Sequence, residues 1–204
     1  MKKPGKREKV SKKTKQQILK ATYRLLVSKG DLRSVSTSNI CAAADLSRPT
    51  LYHHFTNKES LIRSVYVDAI EAHFTPCMKE AFSLNDPYER LVYMIRTFAK
   101  TICLHPELTV LIDNQKIFKD KRFHQIKEEW IKPYLLLRDT LDELRSAGIA
   151  KSGLKSSRAS LLALGMIVSI GRWFDYKRKN EVNEICDSAL EMVLEGFAIK
   201  KEIP

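Results

Sequence analysis

The chain has 204 residues, with 36 Lys+Arg against 24 Asp+Glu and a formal net charge of +12. That length buries one sizeable core, or one plus a small appended domain. The longest apolar run, residues 161–171, is broken by Gly165 and Ser169 and falls short of the eighteen or so residues a membrane span needs. No membrane partner is expected, and a charged N-terminus with no apolar segment behind it predicts a cytoplasmic protein without a signal peptide. Cys41, Cys77, Cys103 and Cys186 stand far apart, with no Cys-x-x-Cys and no His at metal spacing. Reduced thiols, no metal site and no cofactor are the expectation.

In chain order, the charge is the first informative feature. Residues 1–60 hold 14 Lys+Arg against 4 Asp+Glu, whereas residues 61–204 hold 22 against 20. A basic excess on one side is the electrostatic footprint of nucleic-acid binding, because neutralised phosphates release counterions. Residues 1–13 carry much of it without apolar periodicity, which predicts a disordered basic tail; whether it touches DNA or only solubilises stays open. A first helix is predicted over 14–29, with Ile18, Ala21, Leu25 and Leu26 inward, Thr22 on the same face, and Gly30 as its stop.

Residues 36–61 read STSNICAAADLSRPTLYHHFTNKESL. Ser36 or Thr37 can cap a short helix whose apolar stripe is Ile40, Ala43 and Ala44. A corner at Asp45-Leu46-Ser47 follows. Ser47 can cap a second helix opening with Arg48 and Pro49, and its hydroxyl must then bond the N–H of Thr50, since Pro49 has none. Leu51 and Phe55 form the buried stripe, leaving Arg48, Pro49, Thr50, Tyr52 and His53 outward. Such a face suits a polar, anionic target, and the layout is that of a helix-turn-helix whose second helix enters the major groove. The next helix opens at Asn57-Lys58, capped by a Thr56/Glu59 box or by Asn57, and should stop near Thr75, ahead of Pro76.

The run from Ile40 through Leu61 resembles the DNA-binding domain of the TetR family of bacterial transcription regulators, at Ile40, Ala43, Ala44, Leu46, Ser47, Thr50, Leu51, Tyr52, His54, Phe55, Lys58, Glu59 and Leu61. It departs at Asp45, where the family usually has glycine; a corner needing positive φ would be slightly strained there. The resemblance implies an all-α fold. A DNA-binding domain over 14–60 would precede a helical effector-binding and dimerisation domain over 61–204. The expected DNA contacts are Thr37, Ser47, Arg48, Pro49, Thr50, Tyr52, His53 and Lys58. Arg48, Thr50 and His53 would face bases, with Pro49 available to a thymine methyl, and Ser47, Tyr52 and Lys58 would hold phosphates.

Downstream the pattern stays helical. Helices are predicted over 87–104, 107–118, 123–147 with Pro133 inside and Gly148 as the stop, 157–176, and 181–199. The 157–176 segment is apolar nearly all round, which requires burial on two sides. By resemblance, the last two helices form a four-helix dimer seam, with Leu161, Leu164, Ile167, Val168, Ile185, Ala189, Met192, Val193 and Phe197 as candidates. The resemblance also implies a small-molecule effector. Tyr93, Phe98, Phe118, Trp130, Tyr134, Trp173 and Phe174 are candidate walls, and Arg172 a candidate anion contact. Scattered positions in 129–148 and 171–174 resemble members that respond to acyl-coenzyme A thioesters.

The expected function is a transcriptional regulator that binds a double-stranded operator as a homodimer, on the nucleoid when bound, and is released by an effector. The alternative is a ligand-independent structural or nucleoid-associated member of the same fold. An enzyme is not expected. There is no nucleophile elbow, no Gly-rich phosphate loop and no H-x-x-x-H pair, so no catalytic residue is assigned.

Overall fold

The computed structural model describes residues 6–114, 116, 119–151 and 153–199, and the side chains of all of these except 6–9 and 122. Among the described residues the regular structure is helical, apart from one isolated antiparallel bridge between Ala150 and Ile199. The chain divides into two units, residues 1–69 with 110–126 and residues 70–109 with 127–204.

In the first unit, α1 (Lys6–Lys29) begins well ahead of the predicted residue 14. Lysine is a good helix former, and extending an existing helix costs far less than nucleating one, so the basic segment from Lys6 is helical where the sequence predicts disorder. Residues 1–5 of that tail lie outside the described residues. The inward face is Ile18, Leu19, Ala21, Thr22 and Leu26, all buried, with Thr22 returning its hydroxyl proton to the Ile18 carbonyl at 2.8 Å. Gly30, at φ 67°, ends the helix as expected. Next come α2 (Thr37–Ala43), α3 (Arg48–His54) and α4 (Lys58–Ala69). Tyr23 ties α1 to α4, donating to the Val65 carbonyl at 2.9 Å. The fully buried Tyr66 donates to the Leu111 carbonyl at 2.9 Å, which satisfies a hydroxyl that would otherwise be costly to bury.

The predicted stop near Thr75 is not where the chain leaves its helix. A π-helical turn over Ile70–Phe74 carries it into α5 (Thr75–Ser83). Pro76 stands in the first turn of α5, where its missing N–H is tolerated, and the wider π turn absorbs the change of register.

The second unit is centred on α6 (Pro87–Leu104), whose buried stripe is Leu91, Met94, Ile95, Phe98, Ala99, Ile102 and Cys103. Asp86 caps it, accepting from the Tyr88 N–H at 2.8 Å. The chain continues through α7 (Pro106–Asp113), shorter than the predicted 107–118, α8 (His124–Ser146), α9 (Ser156–Trp173) and α10 (Val182–Gly196). Both α9 and α10 pack on α6. The inward face of α9 is made of small residues, Ser156, Ala159, Ser160, Ala163 and Gly171, together with Ile167. At Gly171 a Cβ would collide with the Thr109 and Ile102 side chains, so this close approach needs glycine. Arg90 pins the loop before α6 to α8, donating to the Leu84 carbonyl at 3.0 Å and to Glu143 Oε1 at 2.8 Å. No described helix is long and apolar enough to cross a membrane.

Candidate nucleic-acid interface

The helix-turn-helix is built from local chemistry. Ser36 is the cap of α2, accepting from the Asn39 N–H at 3.1 Å while the Asn39 side chain reaches back to the Ser36 N–H, a reciprocal box. The helix ends in a Schellman arrangement, with Leu46 N–H donating to Cys41 O at 3.0 Å and Asp45 N–H to Ala42 O at 3.3 Å. Asp45 adopts φ 50°, the positive value the corner was expected to require. Gln17 of α1 donates to the Ala44 carbonyl at 2.6 Å, which satisfies a helix-end acceptor and fixes the corner to the helix behind it.

Across the corner, Ser47 caps α3 and accepts from the Thr50 N–H at 3.3 Å, with the Ser47 and Thr50 hydroxyls 2.8 Å apart. Leu51 and Phe55 are buried at 2% and 3% exposure and anchor the helix. Truncating either to Ala should cost about 2–5 kcal/mol. That anchoring turns Arg48, Pro49, Tyr52 and His53 outward, all exposed, with Thr50 half-buried beside them. His54 is half-buried against Phe55. Burial, then the charges of His53 and Lys15, hold it below the usual imidazole value, which favours its neutral form. Asn57 accepts from the Ser60 N–H at 2.8 Å and so caps α4, placing Lys58, half-buried, at its first position. Of the two caps the sequence leaves open, Asn57 is the one used. Thr37 is half-buried in the first turn of α2.

Sequence reasoning missed Ser38. The Arg48 Nη2 donates to its hydroxyl at 2.6 Å, joining the first turns of α2 and α3. Lys29 was also missed; it bonds the Asn39 Oδ1 at 2.8 Å and the Ser34 carbonyl at 3.0 Å. Neither contact follows from spacing within one helix.

This surface coincides with a family match. Residues 18–65 match the model of bacterial regulatory proteins of the tetR family, and residues 84–197 match a tetracyclin repressor-like C-terminal domain. The chain belongs to the TetR family. It is therefore a DNA-binding transcriptional regulator by family, not an enzyme. No curated protein matches it. Among solved structures it is similar to the ketosteroid transcriptional regulator KstR2 of Mycobacterium tuberculosis, at 21% identity and TM-score 0.77 over 92% of this chain and 95% of that one. It is also similar to AibR in complex with isovaleryl coenzyme A and operator DNA, at 20% identity and TM-score 0.80 over 92% and 100%. A third is the fatty acid degradation regulator FadR from Bacillus halodurans, at 19% identity and TM-score 0.70 over 98% and 100%. At these identities the likeness concerns the fold.

Elsewhere in this TetR-family chain, the predicted effector residues do not converge. Tyr93 lines an open groove of about 950 Å³ together with Tyr88, Arg96, Lys100, Cys186 and Asp187. Trp173 and Phe174 line a separate hollow of about 400 Å³ with Met166, Ile170, Arg178 and Ile185. Phe98 is core, at 4% exposure, because α6 is covered by both α9 and α10. Trp130 packs edge-on against Phe74 at 5.2 Å, and Tyr134 is half-buried. Arg172 is exposed at the end of α9 and belongs to the described walls of neither cavity. Phe118 lies outside the described residues.

The predicted pairing residues divide in the same way. Ile167, Ala189, Val193 and Phe197 are buried inside their own chain, at 7% exposure or less, so they cannot offer surface to a partner. Leu164, Val168 and Ile185 are half-buried, and Leu161 and Met192 are exposed. The buried side of α9 is mostly small residues, with Ile167 the large exception, so most of the large side chains of that helix are left half-buried or exposed. Leu161, Leu162, Trp173 and Met192 are 61%, 60%, 86% and 65% exposed.

Proposed function

We propose that the chain is a repressor that binds a palindromic operator as a homodimer and leaves it when a small molecule binds the C-terminal unit. The observation that carries this is the outward face of α3, with Arg48 held by Ser38 and flanked by Pro49, Tyr52 and His53. Arg48, Thr50 and His53 read base edges, Pro49 meets a thymine methyl, and Thr37, Ser47, Tyr52 and Lys58 fix the register on phosphates. One such head offers few base contacts, so two copies spaced about one DNA turn apart supply the affinity. The large apolar side chains left outward on α9 and α10, Leu161, Leu162, Trp173 and Met192, support pairing between copies.

The effector class we favour is an acyl-coenzyme A or another lipid-derived molecule. Its support is the chemistry named for the similar regulators, and a groove whose volume suits a ligand of that size and whose wall includes Arg96 and Lys100. To release DNA, the effector must bind the DNA-incompetent arrangement more tightly than the competent one. The test is selection of a binding site from random duplexes, followed by anisotropy titration of the selected DNA with acyl-coenzyme A thioesters of several chain lengths. A selected palindrome and release by a thioester, with coenzyme A and free acids as controls, is the expected result. Tight binding that no ligand relieves would favour the ligand-independent reading, and no selected site would overturn both.

A further inference from the structure

Three chemistry-bearing side chains outside the DNA-binding surface come together in the second unit. The rings of His73 and His105 have centroids 3.9 Å apart, and His105 Nδ1 lies 3.3 Å from Glu107 Oε1. One donor atom from each of the three falls within 4.8 Å of the others, and all three residues are half-buried. We propose that His73, His105 and Glu107 form a binding site for a borderline divalent cation, Zn²⁺ foremost.

The donor set fits that class of ion. Two imidazole nitrogens and one carboxylate oxygen suit Zn²⁺ and its neighbours, whereas Mg²⁺ and Ca²⁺ favour oxygen throughout. Tetrahedral coordination with bonds of about 2.0–2.1 Å sets donor atoms about 3.3 Å apart. The His105–Glu107 pair already has that separation, and closing the third donor onto them takes a side-chain adjustment of about 1.5 Å, within reach of rotation about χ angles. Three protein ligands leave a fourth position for water or an added ligand.

The backbone around the cluster is held in place. His105 closes α6, donating its N–H to the Thr101 carbonyl at 3.0 Å, and Pro106 opens α7, so the stiff His-Pro-Glu corner fixes two of the three ligands relative to each other. His73 sits on the π-helical turn, a distortion frequent at functional sites because it re-aims side chains. The Cys77 thiol donates to the His73 carbonyl at 3.0 Å and steadies that turn. Spacing alone could not find this group, because His73 stands far along the chain from the His105-Pro106-Glu107 corner.

The proposal is independent of the repressor reading, and its test uses no DNA. The untagged full-length chain, stripped with chelator, is titrated with Zn²⁺ against a chromophoric competitor and, separately, with Co²⁺ followed by absorption. One equivalent per chain is expected, with a cobalt spectrum of nitrogen and oxygen ligands lacking thiolate charge transfer. His73→Ala and His105→Ala should each weaken binding roughly a hundredfold, and Glu107→Gln at least tenfold. His73→Gln and His105→Asn, which preserve shape, repeat the test should an alanine variant unfold. Absence of a saturable site, binding that survives loss of both histidines, or thiolate bands pointing to the cysteines would each overturn the proposal.

Discussion

The Arg48 guanidinium donates to the Ser38 hydroxyl across 2.6 Å, so the leading side chain of α3 is oriented by the first turn of α2. An arginine fixed in this way loses less rotamer freedom when it meets a guanine edge. Arg48→Ala should cost about 1–3 kcal/mol of operator binding and relax specificity at one base pair per half-site. Ser38→Ala should weaken the same base preference by a smaller amount without changing non-specific binding. Competition anisotropy with single-base operator variants measures both. Uniform weakening across all sequences by Arg48→Ala would reassign it to a phosphate.

Much of the DNA-binding unit was legible because its determinants are local. Ser47, Pro49 and the Leu51/Phe55 stripe specify α3 within a few residues, and Asp45 announced a positive-φ corner. The C-terminal unit was legible as helices but not as surfaces. A helix that is apolar nearly all round, as α9 is, carries no periodic signal for which side faces its own core. The answer lies in close packing, where Gly171 meets Thr109 and Ile102, and that packing sends Leu161 and Leu162 outward. Phe98 and Tyr93, five residues apart on one helix, likewise end in core and groove.

That division makes the proposed dimer face testable by contrast. Leu161→Glu places a carboxylate on an exposed site and should give folded monomers, because a charge in an apolar seam costs several kcal/mol. Ile167→Glu puts the same charge at a position with 1% exposure and should prevent folding altogether. Sedimentation equilibrium with circular dichroism distinguishes the two. A Leu161→Glu protein that remains dimeric would remove α9 from the interface.

His54 gives the N-terminal unit a pH dependence of definite sign. Its folded pKa lies below the ordinary 6.5, chiefly through burial and then through His53 and Lys15, so the unfolded chain takes up the proton first as pH falls. The stability it contributes is complete above 6.5 and is lost as pH drops from there through the folded value. Urea unfolding of the wild type between about pH 8 and pH 5 should therefore show a declining midpoint. His54→Gln should remove part of that slope and leave the rest. Identical slopes in the two proteins would show that the imidazole is not the group responsible.

Two residues with side chains occupy backbone positions that glycine fills more easily. Asp45, at φ 50°, closes α2, and Ala198, at φ 49°, closes α10. At the second, Ile199 N–H donates to Leu194 O at 2.8 Å and Ala198 N–H to Glu195 O at 3.1 Å, the same Schellman pattern. The left-handed conformation costs a residue with a Cβ roughly 1–2 kcal/mol, partly offset by the greater chain entropy glycine loses on folding. Asp45→Gly and Ala198→Gly should therefore each stabilise the protein by about 0.5–1 kcal/mol, with alanine expected to gain more than aspartate, which tolerates this region better. Gly148, at φ 74°, provides the reverse experiment. A Cβ there meets nothing within 4 Å, so any loss in Gly148→Ala comes from the backbone alone. That variant should lose about 1 kcal/mol in denaturant unfolding. A neutral Gly148→Ala beside neutral glycine variants would mean that these helix ends relax out of the left-handed region at no cost, and the strain assigned to Asp45 would have to be withdrawn.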